Sequence, residues 1–147
     1  MDLQTPTDKM SKSEIVDGGC VLLMDKPEDI MRSFKRAVTD SETCIIYDPE
    51  RKPGISNLIQ IYSVCTGKDF ASIENEFKGK GYGDFKPVVG EAVVELLRPI
   101  REEALKLLAD KAYLESVFKD GADKASYTAN KTLRKVYKKI GFIEKIK

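Results

Sequence analysis

Apolar positions recur at helical spacing along most of the chain, and polar interruptions fall where helices start or stop. In "PEDIMRSFKRAV", Met31, Phe34 and Val38 make one apolar face. Pro27 can open that helix, Glu28 and Asp29 suit its positive end, and Arg32, Lys35 and Arg36 lie on the other side. Residues 39 to 54 read as a long loop ending in the turn chemistry of "RKPG". A helix through "LIQIYSVCT" follows, with Ser56 or Asn57 as its cap and Gly67 as its stop. "DFASIENEF" predicts a short helix from Asp69, closed by "KGKGYG". There Tyr82 and Phe85 could form a stacking platform, but a turn capped by Asp84 is the preferred reading.

The longest apolar pattern starts at Asp84 and runs from Phe85 through Val89, Val93, Leu96 and Ile100 to Leu108. Pro99 inside it is expected to kink the helix. "KAYLESVF" follows, then a last helix over residues 121 to 140. Its stripe of Ala122, Ala125, Ala129, Leu133, Val136 and Ile140 is expected to pack on the body. Ahead of all this, residues 1 to 14 read as a mobile loop, and "CVLLMD" (Cys20 to Asp25) as a short strand or buried extended segment. The prediction is an all-α bundle of about six helices, preceded by a loop and a short extended segment.

Composition narrows the chemistry. Of 147 residues, 33% are charged and 41% hydrophobic, which fits a globular chain large enough to bury a core. No apolar run approaches the length of a membrane span and no signal pattern opens the chain, so a cytoplasmic protein without a membrane partner is expected. There is no histidine, which removes the commonest general base and metal ligand. Cys20, Cys44 and Cys65 are widely spaced, so they read as free thiols, and no metal site is expected. The net charge of +1 hides an asymmetry: residues 121 to 147 hold eight Lys or Arg against Asp123 and Glu144. A basic end on an otherwise acidic chain suggests an anionic partner, or simply a well-solvated helix face.

"KMSKS" (residues 9 to 13) sets Lys9 and Lys12 three apart among hydroxyls. Two compact ammonium groups on long stems can close over a polyphosphate and stabilise charge on a leaving pyrophosphate. An ordinary solvated loop has the same composition, so chemistry alone leaves both open. The pentapeptide is, however, the second signature of class I aminoacyl-tRNA synthetases. The likeness continues through "FKRAVTDSE", "YDPERKPGISNLIQIYS", "GKGYGDFK", "LRPIRE" and "DGADKA". In order and spacing these resemble the C-terminal part of bacterial tryptophanyl-tRNA synthetases.

The resemblance implies two parts: residues 1–25, with the KMSKS loop at the end of a Rossmann catalytic domain, and residues 26–147, a helical anticodon-binding domain. It implies that Lys9 and Lys12 assist catalysis, and that Lys9, Met10, Ser11, Lys12 and Ser13 form the ATP-binding loop. ATP and Mg²⁺ would serve the full-length enzyme, with tryptophan and most of the ATP held by a Rossmann half that this chain lacks. Asp8, beside Lys9, departs mildly from the family's neutral or basic flank. Lys35, Arg36, Thr39, Asp40 and Ser41 would meet the anticodon of the tRNA for tryptophan, since single-stranded bases are read at their edges. The residues alone favour a helix C-terminus followed by an Asx-type turn, and only the resemblance shifts the reading to RNA contact. The parent enzyme would be a homodimer, and the isolated chain would be a catalytically inactive fragment. The alternative is a free-standing helical RNA-binding or interaction module.

Overall fold

The structure is a computed structural model that describes residues 1–11 and 18–143. It is helical, with five α-helices and, among the described residues, no strand. Residues Met1–Glu102 form one compact unit and the chain from Glu103 a second. No helix among the described residues is long and apolar enough to cross a membrane.

In the first unit, α1 (Pro27–Arg36) opens on Pro27, with Glu28 and Asp29 in its first turn and Lys35 and Arg36 in its last. Its buried face is Ile30 and Phe34, continued by Ala37, rather than the expected Met31, Phe34 and Val38. The helix stops at Arg36, so Val38 leaves the helical register and gives its N–H to Leu3 O instead. Helix α2 (Pro53–Thr66) begins three residues before the expected Ser56 cap. Pro53 suits its first position, and Gly54 passes so close to the Val38 carbonyl oxygen that a Cβ would collide with it. Ser56 and Asn57 are therefore buried inside α2. Ser56 Oγ accepts from Asp48 N–H (2.9 Å), and Asn57 Nδ2 donates to Met1 O and Asp2 O (3.1 and 3.2 Å). Gly67 ends the helix in the left-handed conformation, φ +74°, as its position predicts.

Asp69 caps α3 (Phe70–Glu76) by accepting from Ser72 N–H at 2.7 Å. Helix α4 (Tyr82–Ala109) continues through Pro87 as well as Pro99. Asp84 reaches back to Gly81 N–H from within its first turn. The core gathers α1, α2, α3 and the start of α4 around Tyr62, Phe77 and Phe85. These rings meet edge to face at 4.7 to 5.8 Å, the arrangement their quadrupoles favour. "CVLLMD" is neither strand nor buried: residues 22 to 25 form a turn in which Leu22, Leu23 and Met24 are about half exposed.

The second unit holds the end of α4 and α5 (Lys111–Ile140). Asp110 caps α5 by accepting from Tyr113 N–H, and Gly141 ends it at φ +75°. The two helices expected at 111–118 and 121–140 are one, because a solvent-facing helix tolerates Gly121. The expected burial of its apolar stripe is not realised. No residue of α5 is buried, and Leu133, Val136 and Ile140 stay about half exposed.

Candidate functional site

Two candidate segments lie in the first unit, and Leu3 and Gln4 of the first bond to the second. Residues 1 to 8 are not the free loop their composition suggests. Asp2 Oδ1 accepts from Gln4 N–H (2.7 Å) and Thr5 N–H (3.0 Å), while Asp8 N–H donates to Thr5 O and Asp2 N–H to Asp8 O. Leu3 is buried; its N–H donates to Gly19 O at 2.9 Å and its carbonyl accepts from Val38 N–H at 2.8 Å. Lys9 follows this closed turn and is exposed, Met10 packs against the core, and Ser11 is half-buried. Lys12 and Ser13 lie outside the described residues.

The second segment leaves α1. Lys35, Arg36 and Ser41 are exposed and Thr39 is half-buried. Two bonds hold the helix end: Gln4 Nε2 donates to Arg36 O (3.2 Å), and Lys86 Nζ donates to Ala37 O (2.8 Å). Burial lowers the Lys86 ammonium from its ordinary range, an effect that the nearby Asp40 carboxylate opposes.

Asp40 turns inward. Its Oδ1 accepts from Tyr82 OH at 2.7 Å and from Glu42 N–H at 2.8 Å, and lies 3.8 Å from Lys52 Nζ. Its Oδ2 is buried with no hydrogen-bond partner among the described residues. Lys52, with only 8% of its side chain exposed, sets Nζ 2.5 Å from Glu42 Oε2, 3.0 Å from Cys44 Sγ and 3.3 Å from Cys44 O. Burial opposes charge on Lys52, but bonds to Cys44, Glu42 and Tyr82 outweigh it and hold the ammonium above the usual lysine range. Burial likewise opposes charge on Asp40, yet the Tyr82 hydroxyl, the Glu42 N–H and Lys52 bring its carboxyl below the ordinary value. Tyr82 is pushed up to about 12 by burial and by its bond to Asp40.

The 39–44 loop is thus folded over one lysine and one tyrosine. Of the five residues expected at the anticodon, Lys35, Arg36 and Ser41 present their side chains outward, whereas Asp40 is engaged inside the loop. Local sequence does not mark Lys52 and Tyr82 as loop anchors, beyond a lysine directly before the proline that opens an apolar helix. No group of three or more His, Cys, Asp or Glu side chains gathers to hold a metal ion among the described residues.

The comparisons agree with this architecture. Residues 1–98 match the family "tRNA synthetases class I (W and Y)", and the chain belongs to that family. Within it, the chain is 50% identical over 143 residues to the tryptophan–tRNA ligase of Clostridium tetani, covering 97% of this chain and 42% of that protein. It is 47% identical over 141 residues to the tryptophan–tRNA ligase of Oceanobacillus iheyensis, covering 96% and 43%. Among solved structures, the tryptophanyl-tRNA synthetase of Mycoplasma pneumoniae aligns with a TM-score of 0.67 at 28% identity, over 98% of this chain and 45% of that one. The Campylobacter jejuni synthetase aligns with a TM-score of 0.73 at 26% identity, over 91% and 42%. The chain therefore spans about two-fifths of the length of the relatives it matches.

Proposed function

We propose that this chain is the C-terminal part of a tryptophan–tRNA ligase. Residues 1–25 would end its catalytic domain and residues 26–147 would form its anticodon-binding domain. The observation that carries the reading is an unaltered KMSKS in a chain colinear with tryptophan–tRNA ligases over 97% of its length.

In this reading tryptophan's carboxylate attacks the α-phosphorus of ATP, forming the adenylate and expelling pyrophosphate. Lys9 and Lys12 stabilise the negative charge that develops on the leaving phosphates. Met10, seated on the core, fixes the base of the loop between them, and Ser11 and Ser13 shape it. Mg²⁺ would accompany the ATP phosphates. Lys35, Arg36, Thr39 and Ser41 would face the anticodon of the tRNA for tryptophan, with Asp40 holding their loop in shape. The reading extends to a cytoplasmic, homodimeric parent protein and to an isolated chain without catalytic activity.

Two measurements test it. The purified chain should show no ATP–pyrophosphate exchange; measurable exchange would refute its dependence on a further catalytic half. Titration with the tRNA for tryptophan should give tighter binding than with an anticodon-substituted variant, and equal affinity would refute anticodon reading by this chain.

A further inference from the structure

Helix α5 carries a charge pattern that the candidate site does not use. At 3.6 residues per turn, Lys124, Lys131, Lys135 and Lys138 fall within a sector of about 60° and form a stripe about 21 Å long. Arg134 and Lys139 flank it, and Ala125, Ala129, Leu133 and Val136 occupy the far side. All six basic residues are exposed. From Lys124 to Ile140 there are six basic residues and no acidic one, in a chain whose net charge is only +1.

A solvated helix face does not explain this pattern. Such faces are laced with opposite charges three or four residues apart, as α4 is through Glu95, Arg98 and Glu102 and through Glu103 and Lys106. On α5 only Lys124 has such a partner, Asp120 at 2.6 Å; Lys131, Lys135 and Lys138 have no acidic partner among the described residues. Lys131–Lys135, Arg134–Lys138 and Lys135–Lys139 are instead like charges at four-residue spacing, which oppose the helix. The helix dipole accounts for Lys138 and Lys139 in the last turn, but not for Lys124, Lys131 and Lys135.

We infer that this stripe is a docking surface for an RNA phosphate backbone, contacting it without reading bases. A row of flexible-stemmed ammonium groups matches a row of phosphates, and binding releases the counterions of both. An anionic membrane fits less well. Helices that lie on membranes bury a strongly apolar face, whereas here that face begins as Ala122, Ala125 and Ala129, and the chain has no tryptophan. The inference rests on the tRNA-binding reading and adds to it a second, sequence-independent contact.

The test measures binding of the full chain to the tRNA for tryptophan, to its anticodon variant and to an unrelated tRNA across a salt series. The triple variant Lys131→Gln, Lys135→Gln, Lys138→Gln should lose affinity for all three RNAs alike. Its log–log salt slope should flatten by roughly two to three, since each phosphate contact contributes about 0.7 to 0.9. A control with Lys78→Gln and Lys80→Gln, exposed lysines of the first unit, should keep the parental slope. Circular dichroism should show helix content unchanged or raised in the triple variant, so lost binding would not reflect unfolding. An unchanged slope in the triple variant, or an equal loss in the control, overturns the inference. So does preferential binding to phosphatidylserine-containing vesicles that Leu133→Asp abolishes. Anticodon discrimination with no triple-variant effect removes this inference alone. Uniform RNA binding that the triple variant weakens removes the anticodon reading alone.

Discussion

The Tyr82 hydroxyl donates to Asp40 Oδ1 at 2.7 Å across forty-two positions of sequence, joining the first residue of α4 to the loop that leaves α1. Lys52, directly ahead of α2, completes the contact from a third side. Helices α1, α2 and α4 are thereby linked through their ends as well as through their apolar faces.

Tyr82→Phe keeps the ring and removes that bond. Hydrogen bonds to charged groups typically contribute about 1.5 to 3 kcal/mol, and the half-buried setting of Tyr82 reduces this to about 1 to 2 kcal/mol. Urea unfolding should show the loss. Because the phenol is raised from 10.0 to about 12, its contribution is fully present below pH 10 and disappears as pH rises from about 10 to about 12. The difference between parent and Tyr82→Phe should shrink over that interval; a constant difference would contradict the assignment.

Lys52→Met leaves Asp40 and Glu42 facing each other without their cation. Stranding a buried charge costs about 3 to 5 kcal/mol, and solvent access to Glu42 lowers the expectation to about 2 kcal/mol. The same carboxylates set an acid limit. The Asp40 and Glu42 carboxyls lie below their ordinary values of 3.8 and 4.5, so their stabilisation is present above those values and is lost as pH falls beneath them. Denaturation midpoints should drop more steeply below about pH 4 for the parent than for Asp40→Asn.

Gly54→Ala should destabilise although alanine is the better helix former. The added methyl meets the Val38 carbonyl oxygen, which is backbone and cannot rotate away. Overpacking of this kind costs about 1 to 3 kcal/mol, more than the roughly 1 kcal/mol gained from helix propensity. Thermal unfolding should show a lowered midpoint, and amide exchange at Val38 should quicken as its bond to Leu3 O is disturbed.

Gly121→Ala should do the opposite. Its Cβ would meet nothing within 4 Å, so only propensity acts, and α5 should gain about 1 kcal/mol. Far-ultraviolet circular dichroism should show higher helicity; a loss would mean that Gly121 serves a purpose the helix does not reveal.

Legibility in the sequence followed the range of the physics. Pro27, Gly67 and Asp69 act within one turn of their own helices, and each is found where the pattern put it. Gly54 looks like turn chemistry in the sequence because its reason for being glycine is the distant Val38 carbonyl. Gly121 suggested a break that a solvated helix does not need. "CVLLMD" looked like a buried segment from its apolar content alone, yet its turn leaves three large side chains half in solvent. The KMSKS lysines were legible as a motif. The Asp40–Lys52–Tyr82 cluster was not, because its members lie far apart in the chain and no local spacing marks them.

The Leu3 N–H holds Gly19 and its carbonyl holds Val38, and beside it Gln4 holds the Arg36 carbonyl. Buried Leu3 thus ties the chain ahead of α1 to the chain behind it. A tug on the first eight residues passes into Val38, at the root of the 39–44 loop. The two candidate segments are pinned together at their bases.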